Sequence, residues 1–160
     1  MRAVMAVVLA AVLIQAGPAS ASDLTSLLSC QTGGRVFTEL LRPPYKSLFR
    51  FQRQMSAEVC TIDDATPRNP LTLFGANVVS VHVENGDCVD SLVMLSGQLG
   101  AIVPAALAAY GAGAQQVTAP AAAAPDFTRA VRFHRADVGD VTVLFGQRPD
   151  GQVAMSCPAA

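Results

Sequence analysis

Two histidines and a glutamate are the side chains in this chain best suited to metal or hydrolytic chemistry. His82 and Glu84 stand two residues apart in a segment where apolar and polar residues alternate, so both lie on one face of a predicted strand. His134 occupies the polar face of a later alternating segment. If the two strands are neighbours, the three side chains form a two-histidine, one-carboxylate set that could hold iron or zinc, or serve a serine hydrolase. The simpler alternative is three solvent-facing residues of a sheet.

A second group of candidate residues is basic. Between positions 35 and 53, five cations stand against a single acid, Glu39. If residues 45–55 are helical, Lys46, Arg50 and Arg53 share one face, and the aromatic residues between them could seat that face on a lipid or glycan surface of the cell envelope. The alternative is a solvated helix face whose counter-charges come from the acidic residues that follow it.

Arg132 and His134 form a third candidate site, for an anion. An arginine side chain offers a planar fork of donors that fits a carboxylate or a phosphate. The same charged residues also suit an edge strand that must avoid aggregation.

The four cysteines predict two structural disulfides. Even the closest two, Cys60 and Cys88, are too far apart in sequence for a redox CxxC or a zinc knuckle. Three connectivities are possible. We favour Cys30 with Cys60, which would staple the N-terminal segment, and Cys88 with Cys157, which would tie two later strands.

The first 21 residues have the organisation of an export signal. Arg2 gives a positive start, residues 3–14 are uninterruptedly apolar, and Ala19-Ser20-Ala21 has the small-x-small pattern of a cleavage site. The apolar run is too short to span a bilayer. We therefore expect cleavage after Ala21, no transmembrane segment in the mature chain, and a periplasmic or secreted protein. The preference for alanine and arginine over lysine suggests a bacterial source.

The periodicities predict one α+β domain over residues 22–160. Residues 22–60 are expected to be mainly helical, with a first helix that starts at Asp23 and ends at Gly33-Gly34. Residues 56–70 resemble a connector. Residues 71–160 are expected to form a mostly antiparallel sheet of about four to six strands, with one helix over about 98–111 packed on it and a flexible Ala/Pro-rich loop over 112–125.

Composition limits the function classes. The chain of 160 residues is 51% hydrophobic and 14% charged, with a formal net charge of -1, which excludes a disordered chain, a coiled coil and a strongly basic nucleic-acid binder. No nucleophile elbow, zincin motif or Walker loop occurs. We therefore expect an exported, disulfide-stabilised binding protein without a cofactor, whose partner is an envelope component or another protein. A hydrolase and a structural accessory subunit are the alternatives, and the oligomeric state is left open.

Overall fold

The computed structural model describes residues 21–32, 39–55, 61–85, 92–120 and 126–157. These residues form an α+β fold with two α-helices and an antiparallel sheet, which confirms the predicted class. The helices are α1 (Ala21–Leu28) and α2 (Leu99–Tyr110), and Tyr45–Leu48 is a 3₁₀ turn. The strands are β1 (Phe49–Met55), β2 (Thr61–Pro67), β3 (Thr72–Leu73), β4 (Ala76–Asn85), β5 (Leu92–Ser96), β6 (Gln115–Val117), β7 (Arg129–Arg135), β8 (Gly139–Gln147) and β9 (Gln152–Ser156).

The strands join in the order β1-β2-β4-β5-β9-β8-β7-β6, and the short β3 pairs with β4. Every pairing is antiparallel. Nine strands exceed the expected four to six. Among the described strands, β1 and β6 form the two edges of the sheet.

The helix expected over residues 45–55 is wrong, because β1 begins at Phe49 directly after the 3₁₀ turn. Phe49 is buried, Arg50 exposed, Phe51 half-buried and Gln52 exposed, which is the two-residue period of a strand. The apolar residues of this segment fit either period. Pairing with β2 supplies backbone hydrogen bonds that stabilise the strand over a helix.

Two other segments also gain strands. The expected connector over residues 56–70 contains β2, and the expected flexible loop over 112–125 contains β6. Both are stabilised by cross-strand pairing, which local composition does not reveal. The helix α2 lies where apolar spacing predicts one, and β4 and β7 lie in the two alternating segments.

The main cluster of buried residues lies on one face of the sheet, beneath both helices, and Met94, Ala130, Leu144 and Ala154 are buried on the other face. The aromatic centre of the main cluster is Tyr110 at the end of α2, stacked on Phe133 of β7 with ring centroids 4.1 Å apart. Phe74 meets the Tyr110 ring edge-on at 5.4 Å. The Tyr110 hydroxyl donates a hydrogen bond to the Ser29 carbonyl at 2.8 Å, and burial raises the pKa of this phenol far above its usual value. Tyr110 therefore joins α2 to the end of α1.

Helix α1 ends earlier than the expected Gly33-Gly34. Cys30 adopts a φ of 64°, its N–H donates to the Leu27 carbonyl at 3.2 Å, and the Gln31 N–H donates to the Ser26 carbonyl at 3.0 Å. These two bonds are those of a Schellman motif, in which glycine usually takes the left-handed position. Here a cysteine holds that position.

Cys30 forms a disulfide with Cys157, across a sequence separation of 127 residues. Both favoured pairings, Cys30 with Cys60 and Cys88 with Cys157, are therefore wrong. The bond joins the end of α1 to the residue after β9, so it links the beginning of the fold to its end. Cys60 and Cys88 lie outside the described residues.

Arg135 reinforces the same junction from β7. Its Nη1 donates to the carbonyls of Cys30 at 3.1 Å and Thr32 at 2.9 Å, which places a cation at the C-terminal end of α1. Its Nε and Nη2 donate to the Asp137 carboxylate at 2.7 and 2.9 Å. These bonds from Arg135 hold the pKa of Asp137 below its usual value.

The opposite face of the sheet is crossed by backbone at Gly146 of β8. A Cβ at this position would collide with the Asp126 carbonyl oxygen and lie 3.3 Å from Phe127 Cα, so only glycine fits without movement. Arg148 pairs with the Asp126 carboxylate at 2.6 Å and fastens this crossing segment. Within the described residues, no helix is long and apolar enough to cross a bilayer.

Candidate functional site

His82 of β4 and Asp64 of β2 lie directly opposite each other in the sheet. The His82 Nδ1 and the Asp64 Oδ1 are joined by a hydrogen bond, and 34% and 19% of the two side chains are exposed. Both residues project from the face opposite the core, since their neighbours Ala65 and Val81 are fully buried.

A carboxylate on Nδ1 leaves Nε2 as the atom of His82 that can accept a proton or bind a ligand. Such a dyad is one part of a hydrolytic or metal site, and the remaining parts must converge on it. Among the described side chains, no group of three metal-ligating residues occurs. Glu84 continues β4 two residues after His82, and its side chain lies outside the description.

The strand order does not bring His134 to His82. From β4 to β7 the path crosses β5, β9 and β8. At about 4.8 Å per strand step, β4 and β7 are roughly 19 Å apart along the sheet. His134 instead contacts Asp140 across the β7–β8 hairpin, with Nδ1 3.1 Å from Oδ1, and both side chains are largely exposed.

The basic residues lie along the β1 edge of the sheet. Lys46 in the 3₁₀ turn and Arg50 in β1 are exposed, and neither makes an ion pair with another described residue. Arg53 lies further along β1, with its side chain outside the description. Phe49 is only 1% exposed, so its ring is not available to a lipid or glycan surface.

Main-chain hydrogen bonds show which groups of β1 point away from the sheet. The Arg68 N–H donates to the Leu48 carbonyl at 2.9 Å, so these opposed residues are a hydrogen-bonded pair. In an antiparallel ladder such pairs alternate with pairs whose backbone groups point outward. Phe49, Phe51, Arg53 and Met55 therefore direct their N–H and C=O groups to the open edge.

Arg68 closes the beginning of this edge. Its Nε donates to the outward Phe49 carbonyl at 3.0 Å. Among the described residues, no other strand pairs with β1 from Phe51 to Met55 on this side, and we call this stretch the open edge. This strand edge was not predicted, although the alternation of aromatic and polar residues from Phe49 to Gln52 is a signal for a strand.

Arg132 lies near the other edge of the sheet, opposite Gln115 of β6 and Thr142 of β8. It is exposed on the face opposite the core. Six strand steps separate β7 from β1, which is roughly 29 Å. Arg132 and His134 are thus placed together, but far from Lys46 and Arg50.

Comparison with known proteins adds no family assignment: no protein-family model matches the chain, and neither does any curated protein or solved structure.

Proposed function

We propose that this protein is an exported binding protein that takes an extended, acidic segment of a partner protein as an added strand on β1. The observation that carries the proposal is the open edge from Phe51 to Met55, where three residues direct backbone donors and acceptors away from the sheet. Strand addition is a common mode of peptide recognition, in which these groups supply the hydrogen bonds.

Charge favours an acidic partner. Lys46 and Arg50 are exposed beside the edge without a described counter-ion. Neither acid of the neighbouring strand lies opposite Arg50: Asp64 is opposite Gln52 and hydrogen-bonded to His82, and Asp63 is opposite Arg53. A carboxylate on the incoming strand would offset the positive charge, since opposite charges on facing strands stabilise a sheet.

The same charges disfavour a second copy of this chain on the edge. Pairing two β1 strands would place four arginines, two from each copy, in one two-stranded ladder, and like charges on neighbouring strands destabilise a sheet. Basic residues at an open edge are a common protection against self-association.

The affinity is limited by the number of outward backbone groups, which are the N–H and C=O of Phe51, Arg53 and Met55. Each backbone hydrogen bond contributes about 0.5–1.5 kcal/mol net, and ordering each peptide residue costs about 1–2 kcal/mol. We therefore expect weak binding, with a Kd of about 10 μM or higher, and a loss of affinity with rising salt.

The test is fluorescence anisotropy with a labelled peptide of glutamate and valine and its lysine-for-glutamate counterpart. The chain is expected to bind the acidic peptide and not the basic one. Arg53→Pro removes one outward N–H at a position where an edge strand tolerates proline, and should abolish binding. Arg53→Ala is the matched control, which loses the cation and keeps the N–H. Equal affinity of Arg53→Pro and Arg53→Ala, with both folded by circular dichroism, would contradict strand addition.

Export remains part of the proposal. A structural disulfide suits an oxidising compartment such as the periplasm or the extracellular space. The N-terminal signal pattern supports the same destination. The hydrolase alternative required His82, Glu84 and His134 to converge, and it is not proposed because the two histidines lie on distant strands.

A further inference from the structure

We infer that the strand added to β1 runs antiparallel to it and presents a free C-terminal carboxylate to Arg68, an inference that rests on the proposed function and specifies its ligand class. The observation behind it is the hydrogen bond from the Arg68 Nε to the Phe49 carbonyl. This bond occupies the outward acceptor that an added strand would reach next after Phe51. Beyond Phe51 the added chain must therefore end or turn away from the sheet.

The same end of the open edge carries three cations. Arg50 lies opposite Thr66 of β2. Arg68 keeps this register opposite Leu48, so its side chain and that of Arg50 leave the same face of the sheet. Lys46 lies in the 3₁₀ turn just before β1. All three cations are exposed, and none makes an ion pair with a described residue.

This charge selects the direction of the added strand. An antiparallel strand begins opposite Met55 and brings its C-terminal end to Phe51, whereas a parallel strand brings its N-terminal end there. Phe49 lies about 7 Å beyond Phe51, at about 3.4 Å per residue. A carboxylate that follows the residue opposite Phe51 therefore arrives beside the guanidinium bound at Phe49. The cations attract this group and would repel the ammonium group of an N-terminus.

The guanidinium of Arg68 is suited to bind a carboxylate. Its Nε donates to the Phe49 carbonyl, while Nη1 and Nη2 make no hydrogen bond with a described residue. The planar arrangement of these donors fits the two oxygens of a carboxylate. Because the Nε is already held at the backbone, this side chain loses less freedom on binding than an unattached arginine. An internal segment would bring only a neutral peptide bond to the same place.

The test compares three unlabelled peptides of glutamate and valine, which compete with an N-terminally labelled acidic peptide for the full chain. The first has a free C-terminus and the second is amidated there. The third has a free C-terminus and glutamine in place of its first glutamate, so its net charge equals that of the amidated peptide. We expect amidation to weaken binding about tenfold, since hydrogen bonds between charged groups are the strong ones. The change at the first residue should weaken it less than about twofold, because salt screens distant charges.

Two variants of the protein identify the cation responsible. Arg68→Gln should reduce the effect of amidation to less than about twofold, because it removes the charge and the planar fork. Arg132→Gln is the matched control, since it removes the same charge from β7, far from β1, and it should retain the full effect. Both side chains are exposed, so both variants should keep the circular dichroism spectrum of the wild type.

The outcomes separate the two proposals. If the free and amidated peptides bind equally and Arg53→Pro abolishes both, strand addition stands and recognition of the C-terminus is refuted. Recognition by Arg68 is also refuted if Arg68→Gln and Arg132→Gln reduce the effect of amidation equally. If no peptide binds, or if Arg53→Pro binds as tightly as Arg53→Ala, the proposed function itself fails. Dimerisation of the free chain that Arg53→Pro abolishes would identify a second copy as the occupant and overturn both.

Discussion

Removal of the Cys30–Cys157 disulfide is expected to lower the free energy of unfolding by about 5 kcal/mol. The bond closes a loop with a sequence separation of 127 residues, and the chain-entropy relation for such a loop gives about 5 kcal/mol at 25 °C. A domain of ordinary stability has only about 5–15 kcal/mol in total. The variant without this bond should therefore unfold at a much lower urea concentration, or need an osmolyte to fold.

Two matched double variants separate the cross-link from the backbone conformation at Cys30. Both carry Cys157→Ala, one with Cys30→Ala and the other with Cys30→Gly. Because Cys30 has a φ of 64°, alanine retains the cost of a left-handed residue, whereas glycine relieves about 1 kcal/mol of it. Urea unfolding followed by circular dichroism, with sucrose present in all samples, measures both differences. If the variant with Cys30→Ala and Cys157→Ala loses less than about 2 kcal/mol of unfolding free energy, the stabilisation by loop closure is refuted. If this variant and the one with Cys30→Gly are equally stable, the cost of the left-handed backbone at position 30 is refuted.

Three other measurements test the fold. Gly146→Ala should lower the free energy of unfolding by about 1–3 kcal/mol in urea titrations, because its Cβ would collide with the backbone that crosses β8. The hydrogen bonds from Arg135 lower the pKa of Asp137 in the folded protein. The Asp137 carboxylate therefore stabilises the fold at pH values above its unfolded pKa of about 3.9. This stabilisation is lost as the pH falls through the lower pKa of the folded state. The urea midpoints of the wild type and Asp137→Asn should therefore converge in acid, and a constant difference down to pH 2 would contradict this cause. Mass mapping under non-reducing conditions should find Cys60 joined to Cys88, the only pairing left if the predicted second disulfide forms, and alkylation of either thiol would exclude it.

Periodicity identified the strands whose alternation and turns are local properties of the sequence. The alternation of Val79, Val81 and Val83 predicts a strand, and β4 includes all three. For residues 45–55 the predicted helix was wrong, because the apolar positions of this segment fit a helix and a strand equally well. In such a segment the neighbouring strand decides, and β2 was itself expected to be a connector.

The predicted disulfide connectivity was wrong for a different reason. Cys30 was paired with Cys60 because the two are close in sequence, whereas the bond forms between segments that the fold brings together. The end of β9 lies in the centre of the sheet, beneath the C-terminal end of α1, and this puts Cys157 within reach of Cys30. No local pattern carries that information.

The candidate site was also predictable from the sequence only in part. Alternation placed His82 on the polar face of a strand, and the structure agrees. Its partner was not predictable, because Asp64 lies in a segment that showed no strand pattern. Without a neighbour for β4, the sequence offered His134 as a partner, and only the strand order reveals how far away it lies.

The pairing of Asp64 with His82 also bears on the open edge. On β2, Asp63 lies directly opposite Arg53, whereas Arg50 lies opposite the uncharged Thr66. Asp64 is hydrogen-bonded to His82, and Arg50 makes no ion pair with a described residue. Like-charge repulsion then opposes self-pairing of β1, while the outward backbone groups stay available. Neutralising the edge with Arg50→Gln should therefore weaken binding of an acidic strand and at the same time increase self-association. A mutation that merely unfolded the edge would decrease both.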